Sequence, residues 1–300
     1  MQRDVVKRSL EIGRSALDGF YNETAFSARS GPMDVEQVEG LESIVLTVGR
    51  PALLIRSGRF DAPPETWAML EGNRDVIEAL FRSIGRIELD GHPSLEWVGT
   101  GFMIAPGVLA TNRHVVQEFA RLSPQGKWVM EPGVSARVDF AEEMDTVTPN
   151  EHAIGGIIGV HSALDVALLE VDGGPLAAPA LRLDGGSVAL GRGRLSFVVG
   201  YPALDSRRND PALMETIFAG IYGVKRLQPG LLTDWSAMRR AYIHDCSTLG
   251  GNSGSCLVDL DSGVVSGIHF GGRFLDGNWA ISTRDLAADG YLARLGAQFV

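Results

Sequence analysis

The sequence predicts an all-β protein, a barrel or a sandwich, carried behind a mostly helical N-terminal stretch. Three observations predict it. From Arg86 onward, short runs of Val, Ile, Leu and aromatic residues are separated by Gly, Pro, Asn and Asp, the punctuation of strands and turns. About twelve such runs fall within roughly 200 residues and no helical segments alternate with them, which excludes a parallel β/α arrangement. The 37 glycines among 300 residues supply the turns that many short strands need.

The first 82 residues read differently. Residues 4–20 place Val5, Leu10 and Ile12 at helical spacing, and residues 64–82 do the same with Trp67, Leu70, Ile77, Leu80 and Phe81. Pro63 and Pro64 suit a helix start. Pro51 divides the apolar stretch between the two segments into a helix end and an extended piece. The division expected is therefore a helical extension over 1–82 and a β domain over 83–300. The apolar faces of the extension need cover, either as a brace packed on the β domain or as a latch or docking site for an activating partner. The strands expected are 86–89, 97–104, 108–111, 136–140, 154–160, 165–171, 195–201, 216–224, 241–245, 255–260, 264–270 and 279–282. A last helical stretch, 283–299, closes the chain.

Charge and composition exclude several classes. A net charge of −10 is the wrong sign for phosphate contacts, so nucleic acid is not an expected partner. No uncharged apolar run approaches the ~20 residues of a membrane span, and residues 1–20 lack a signal-peptide core. A cytoplasmic location is the expectation, and two cysteines in 300 residues agree with it. Cys246 and Cys256 read as small buried core residues, with a disulfide or redox switch as the alternative. No Cys/His spacing typical of a metal site occurs, so neither metal nor organic cofactor is expected.

The chemistry concentrates in three segments. The first, TGFMIAPGVLATNRHVV, ends in His114; in the second, HSALDVALLEV, Asp165 opens an apolar strand; in the third, STLGGNSGSCLVDL, Ser253 stands among glycines. A serine hydroxyl is a poor nucleophile until a base takes its proton, and the base needs a third group to fix its tautomer. His114, Asp165 and Ser253 meet that requirement. Their order differs from the Ser, Asp, His order of α/β-hydrolases, and Ser255 occupies the place of the last glycine in a G-x-S-x-G elbow. Glycines around Ser253 leave the backbone free to aim N–H groups at one point, and the N–H groups of Gly251 and Ser253 are the expected oxyanion hole. His92, His152 and His161 look like loop or strand-end residues, and His244 like a structural one.

Taken together these segments resemble the trypsin-like serine peptidases, and especially the bacterial glutamyl-endopeptidase branch. ATNRHVV is similar to the histidine block, DVALLEV to the aspartate block and GGNSGS to the serine block, and GIHFGG (267–272) to the strand that lines the specificity pocket. The resemblance covers about residues 83–285. It implies two six-stranded antiparallel barrels of chymotrypsin type with the triad between them, and endopeptidase activity on a protein or peptide substrate. It also implies a pocket formed by Ser247, Thr248 and His269, with Phe270, Gly271 and Gly272 holding substrate backbone. A Thr hydroxyl and an imidazole suit a substrate carboxylate, while small or apolar side chains are the competing preference. The sequence departs from trypsin at Asn252, where a neutral amide cannot pair with a newly cut N-terminus. A regulated intracellular protease acting on one partner protein fits these features; a catalytically silent peptide-binding module is the alternative.

Overall fold

The structure, a computed structural model, describes residues 49–173, 178–204, 211–273, 277–290, 292 and 295–300. The helix expected over 4–20 lies outside the described residues.

The described chain begins with a hairpin, β1 (Leu53–Arg56) and β2 (Arg59–Phe60), turned by Ser57 and Gly58, both at positive φ. The first barrel then uses β3 (Ile84–Asp90), β4 (Trp97–Ala105) and β5 (Val108–Thr111). A small side hairpin, β6 (Ala120–Leu122) with β7 (Trp128–Met130), separates these from β8 (Ser135–Asp139), β9 (Glu151–Val160) and β10 (Ala167–Val171). The closed order is β10-β5-β4-β3-β8-β9, with β9 returning to β10. Six further strands form the second barrel: β11 (Leu195–Gly200), β12 (Arg226–Ser236), β13 (Ala241–His244), β14 (Cys256–Asp259), β15 (Val265–Arg273) and β16 (Gly277–Ser282). They run in the order β11-β14-β15-β16-β13-β12, and pairing of β12 with β11 closes the ring. The fold is thus two six-stranded antiparallel barrels of the chymotrypsin type, as the resemblance implied. β4 and β5 are apolar along nearly their whole length because one face fills the first barrel and the other meets the second.

Four elements differ from the expectation. Residues 216–224 are not a strand. A helix, Pro211–Phe218, occupies the first part, with Pro at its start and Met214 and Phe218 buried one turn apart. The β-branched and aromatic residues that suggested a strand serve a helical face instead. The longest strand, β12, was not expected at all, because Pro229-Gly230 reads as a turn. On one edge β12 pairs with β1 at Arg226 and Leu227 and with β13 only from Leu232, so Pro229 falls in the gap where no ladder bond is lost. Gly230 is needed there, since a Cβ would lie 2.7 Å from both Asp245 Oδ1 and Cys246 N. Finally, helix 64–82 is three short pieces, Glu65–Trp67, Met69–Gly72 and Arg74–Phe81, and the C-terminal helix spans only Thr283–Ala288. Cys246 and Cys256 are free and buried, so no disulfide joins them.

Residues 49–82 are built into the second barrel rather than laid on it. β1 adds to the edge of β12, and Leu53, Ile55, Phe60, Trp67, Leu70, Ile77 and Phe81 share one core with Phe102, Phe197, Leu227 and Val258. Two buried cations reinforce the junction. Lys225, fully enclosed, donates to Phe81 O (2.9 Å), Phe140 O (2.7 Å) and Glu143 Oε1 (3.2 Å), joining this segment to both barrels. Burial pushes its ammonium below the usual lysine value, and Glu143 opposes that push. Arg226 donates to the carbonyls of Ala52, Phe218 and Ile221.

Removing residues 1–82 strips seven large side chains from this core. At about 1.5–3 kcal/mol for each, the loss is on the order of 10 kcal/mol, comparable with the whole stability of an ordinary domain. The truncated protein is expected to be insoluble or unfolded, read as soluble yield and circular dichroism. A soluble, cooperatively folding 83–300 fragment would contradict this packing.

Candidate active site

The pairing of β5 with β10 brings His114 and Asp165 together. Ala167 stands opposite Thr111, so the residues just after β5 and just before β10 emerge side by side at one barrel end. Asn112 caps the short helix Arg113–Gln117 in extended conformation, and its amide donates to Asp165 O at 2.8 Å. Arg113 donates to the carbonyls of His161 and Leu164, pinning the loop that leads into Asp165. Asp165 accepts the backbone N–H of His114 (3.0 Å) and approaches its ring Nδ1 at 2.6 Å. Both side chains are buried. A carboxylate at that distance holds the ring proton on Nδ1 and leaves Nε2 as the basic atom.

Ser253 comes from the second barrel, on the irregular segment 245–255 between β13 and β14. Thr100 of β4 positions it: the Thr100 N–H donates to Ser253 O (2.9 Å) and its hydroxyl to Gly251 O (2.7 Å). Gly99 next door is squeezed between the two halves of the site. A Cβ there would lie 2.9 Å from Val115 Cγ2, beside His114, and 3.0 Å from Ser253 O. The histidine segment and the serine segment therefore lie on either side of Gly99 in β4. Gly251 and Gly254 both lie at positive φ. Side chains there would collide with Tyr201 O and the Trp97 ring in the first case, and with Thr100 O and Thr111 Oγ1 in the second. The Asn252 N–H is taken by Leu249 O and the Gly254 N–H by His269 O, while no described backbone carbonyl accepts the Gly251 N–H.

The residues predicted to form the pocket are nearly closed to water: Ser247, Thr248, His269 and Phe270 are each at most 2 % exposed. Ser247 Oγ donates its one proton to Arg50 O (2.8 Å), so it retains only acceptor capacity and cannot donate to a substrate carboxylate. His269 Nδ1 lies 3.2 Å from His244 Nε2, and the rings meet edge to face. Burial takes His244 down to about 3, and burial, then His244 and His114, hold His269 well below the ordinary histidine value; both rings are neutral at rest. Phe270 forms a bulge opposite β16, and its ring stacks on Trp279. Gly271 and Gly272 pair with Trp279 and Asn278, and the Asn278 amide anchors Cys246 O at 2.6 Å.

Sequence reasoning missed Thr100, Asn112, Trp97, Arg50 and the partnership of His244 with His269. Asn112 had a signal, lying two residues before His114 at a helix start. The others have none, since each acts through a partner distant in sequence. Among the described residues, one acidic group, Glu88, Asp139 and Glu142, is close enough to share a cation. Arg86 and Arg137 pair with Glu88 (2.6 and 2.8 Å), and backbone N–H groups fill Asp139, so its negative charge is already satisfied. No described helix is long and apolar enough to cross a membrane.

Two antiparallel barrels with a histidine–aspartate pair on one and a glycine-flanked serine on the other define a protein of the serine-peptidase class. A model of the trypsin-like peptidase domain matches residues 99–268, more than half of the chain, and the chain belongs to that family. A probable serine protease of Lysobacter enzymogenes is 29% identical over 99% of this chain and 86% of its own length. Among solved structures, Deg5 aligns over 77% of this chain and 98% of its own, with 19% identity and a TM-score of 0.52, a likeness of fold. The inactive form of the Rv3671c protease aligns over 76% of this chain and 96% of its own, with 22% identity and a TM-score of 0.46.

The contact of Gly254 with the first barrel sets a stability test. Gly254→Ala would force a methyl against Thr100 and Thr111 at a backbone angle unfavourable for alanine, at a cost of about 3 kcal/mol. The thermal midpoint should fall by several degrees in calorimetry; a variant melting with wild type would show that the two barrels do not press together here.

Proposed function

We propose that the chain is a serine endopeptidase that cleaves protein substrates through an acyl-enzyme. Ser253 attacks the scissile carbonyl, His114 takes its proton and returns it to the leaving amine, and Asp165 orients His114 and stabilises its charged form. The observation that carries this reading is the 2.6 Å approach of Asp165 to His114 Nδ1, which leaves Nε2 as the atom able to accept a proton. The N–H groups of Gly251 and Ser253 hold the oxyanion, in a loop whose glycines leave no side chain over it. In this reading Phe270, Gly271 and Gly272, which follow the last β14–β15 pair at Cys256 and Ile268, hold the substrate backbone as an added strand.

The specificity proposed is for an acidic side chain before the cut, read by Thr248 and His269. In support, no acidic side chain occupies the predicted pocket positions, and His269 stands paired with a second imidazole that can hold its tautomer. Because His269 is neutral at rest, a bound carboxylate would draw a proton onto it. The proposed biological role is a regulated cytoplasmic protease acting on a specific partner protein. The two free cysteines agree with a reducing compartment. Comparing cellular N-termini with wild type and with Ser253→Ala identifies that partner.

Ser253→Ala is expected to reduce turnover by about 10⁴-fold or more, and His114→Ala nearly as much, with the thermal midpoint kept. Near-normal cleavage of a peptide library by either variant would sink the triad assignment. Specificity has a pH signature of defined sign. Lower pH supplies the proton that carboxylate binding needs, so kcat/KM for a glutamate peptide relative to an alanine peptide should rise as pH falls from about 8 to 6. The ratio cancels the titration of His114. A ratio that is flat with pH, or unchanged in His269→Ala, would exclude the acid-reading role.

A further inference from the structure

The segment that carries both the pocket floor and the nucleophile, residues 245–255, has no regular secondary structure. Local turns from Leu249 to Asn252 and from Asn252 to Ser255 shape it near the serine, and tertiary contacts hold its two ends. At its Ser253 end those contacts come from Thr100 and from His269 O. The Asp245 end is held differently, by residues that precede the family-matched region. Arg50 Nε and Nη2 donate to the two carboxylate oxygens of Asp245 at 2.9 and 2.7 Å, a bidentate pair with both side chains largely enclosed. The carbonyl of the same residue accepts the Ser247 hydroxyl at 2.8 Å. Two residues on, Ala52 packs in one cluster with Leu249, Met214 and Phe218.

Arg50 is itself immobilised. Its guanidinium lies 5.1 Å from the centre of the Trp67 ring, and the Trp67 indole donates to Gly49 O at 2.7 Å. The Ala52 carbonyl is gripped by Arg226, and Leu53 and Leu54 enter the β12 ladder. Asp245 Oδ1 also accepts the Leu231 N–H at 2.7 Å, so the ion pair is tied to the barrel as well as to the loop. A rigid strand end thus grips an irregular loop at three successive points, Asp245, Ser247 and Leu249, four residues before the nucleophile.

We propose that Arg50 is a positioning residue: through Asp245 and Ser247 it holds segment 245–253 in the arrangement that presents the pocket floor, the Gly251 N–H and Ser253 to substrate. This rests on the serine-peptidase reading and adds to it a point of control outside the family-matched region. Asn252, whose side chain is neutral, supplies no ion pair that could order this loop from within. The charged anchor is Arg50, placed by folding, so no chain cleavage is required to create it. Loss of the anchor releases the loop into a wider set of conformations, of which only a fraction is competent.

The test combines hydrogen exchange with fluorophosphonate labelling of the full chain at 10 °C, well below the melting range of an ordinary domain. In Arg50→Met, peptides covering 246–254 should exchange faster than in wild type while β4 and β5 stay protected. Labelling of Ser253 should slow by about tenfold or more. Because Asp245 left alone is a buried unpaired charge, Arg50→Met/Asp245→Asn is the second variant; it removes that charge and should fold stably yet remain slow. Arg50→Lys, which keeps the charge, should recover part of the rate. Unchanged exchange over 246–254 with wild-type labelling in both variants would overturn the role of Arg50, even if their melting temperatures fell. Wild-type protein that takes no label at Ser253 would instead overturn the serine-peptidase reading on which the role depends.

Discussion

Thr100 is the residue through which the two barrels become one site. It belongs to β4 of the first barrel and is completely buried. Its N–H, its carbonyl and its hydroxyl are all engaged: to Ser253 O, from Thr111 Oγ1 and to Gly251 O. Buried polar groups carry a heavy penalty when unpaired, so these bonds fix the distance and tilt between the barrels far more tightly than apolar contact could. The glycines at 99, 251 and 254 follow from that constraint. Each has another backbone, or the Trp97 ring, where a side chain would go. The proposed triad would depend on the same contact, because His114 and Asp165 are joined within the first barrel and Thr100 ties the Ser253 segment to that barrel.

Buried charge plays a second organising part. Arg50, Lys225 and Arg226 each reach from one structural unit to carbonyls or carboxylates of another. A buried cation without partners would be expensive, whereas one with two or three acceptors is tolerated only in a single geometry. Such groups add little net stability but strongly disfavour alternative packings. They also explain why residues 49–82 are inseparable from the barrels. The family match begins at residue 99, yet β3 lies before it and β16 after it, and neither barrel closes without them.

The pocket follows another logic. His244 and His269 sit in an environment that strips them of charge, with two neutral rings touching. Neutral imidazoles are compatible with an apolar wall and still offer an N–H. The same buried arrangement is the starting state for the carboxylate recognition proposed above. Ser247, at the neighbouring position, has the opposite fate, since its proton is committed to the Arg50 carbonyl.

The sequence by itself determined most of the barrel strands, the barrel architecture through family resemblance, and the three segments that carry His114, Asp165 and Ser253. These are legible because they rest on local signals: alternation of apolar residues, glycines that free the backbone, and chemistry that needs particular residue types in a particular order. It misread residues 216–224 and 226–236. Strand-forming residues there were turned into a helix face in one case, and a Pro-Gly pair was absorbed into a ladder gap in the other, both decided by neighbours distant in sequence. Only the tertiary structure decided that Thr100 joins the barrels, that Ser247 faces Arg50 and that His269 rests on His244. Each of these is a contact between residues 25 to 197 positions apart. A hydrogen bond of that span leaves no periodicity in the chain, because it is set by how closed barrels pack rather than by any local preference of the backbone.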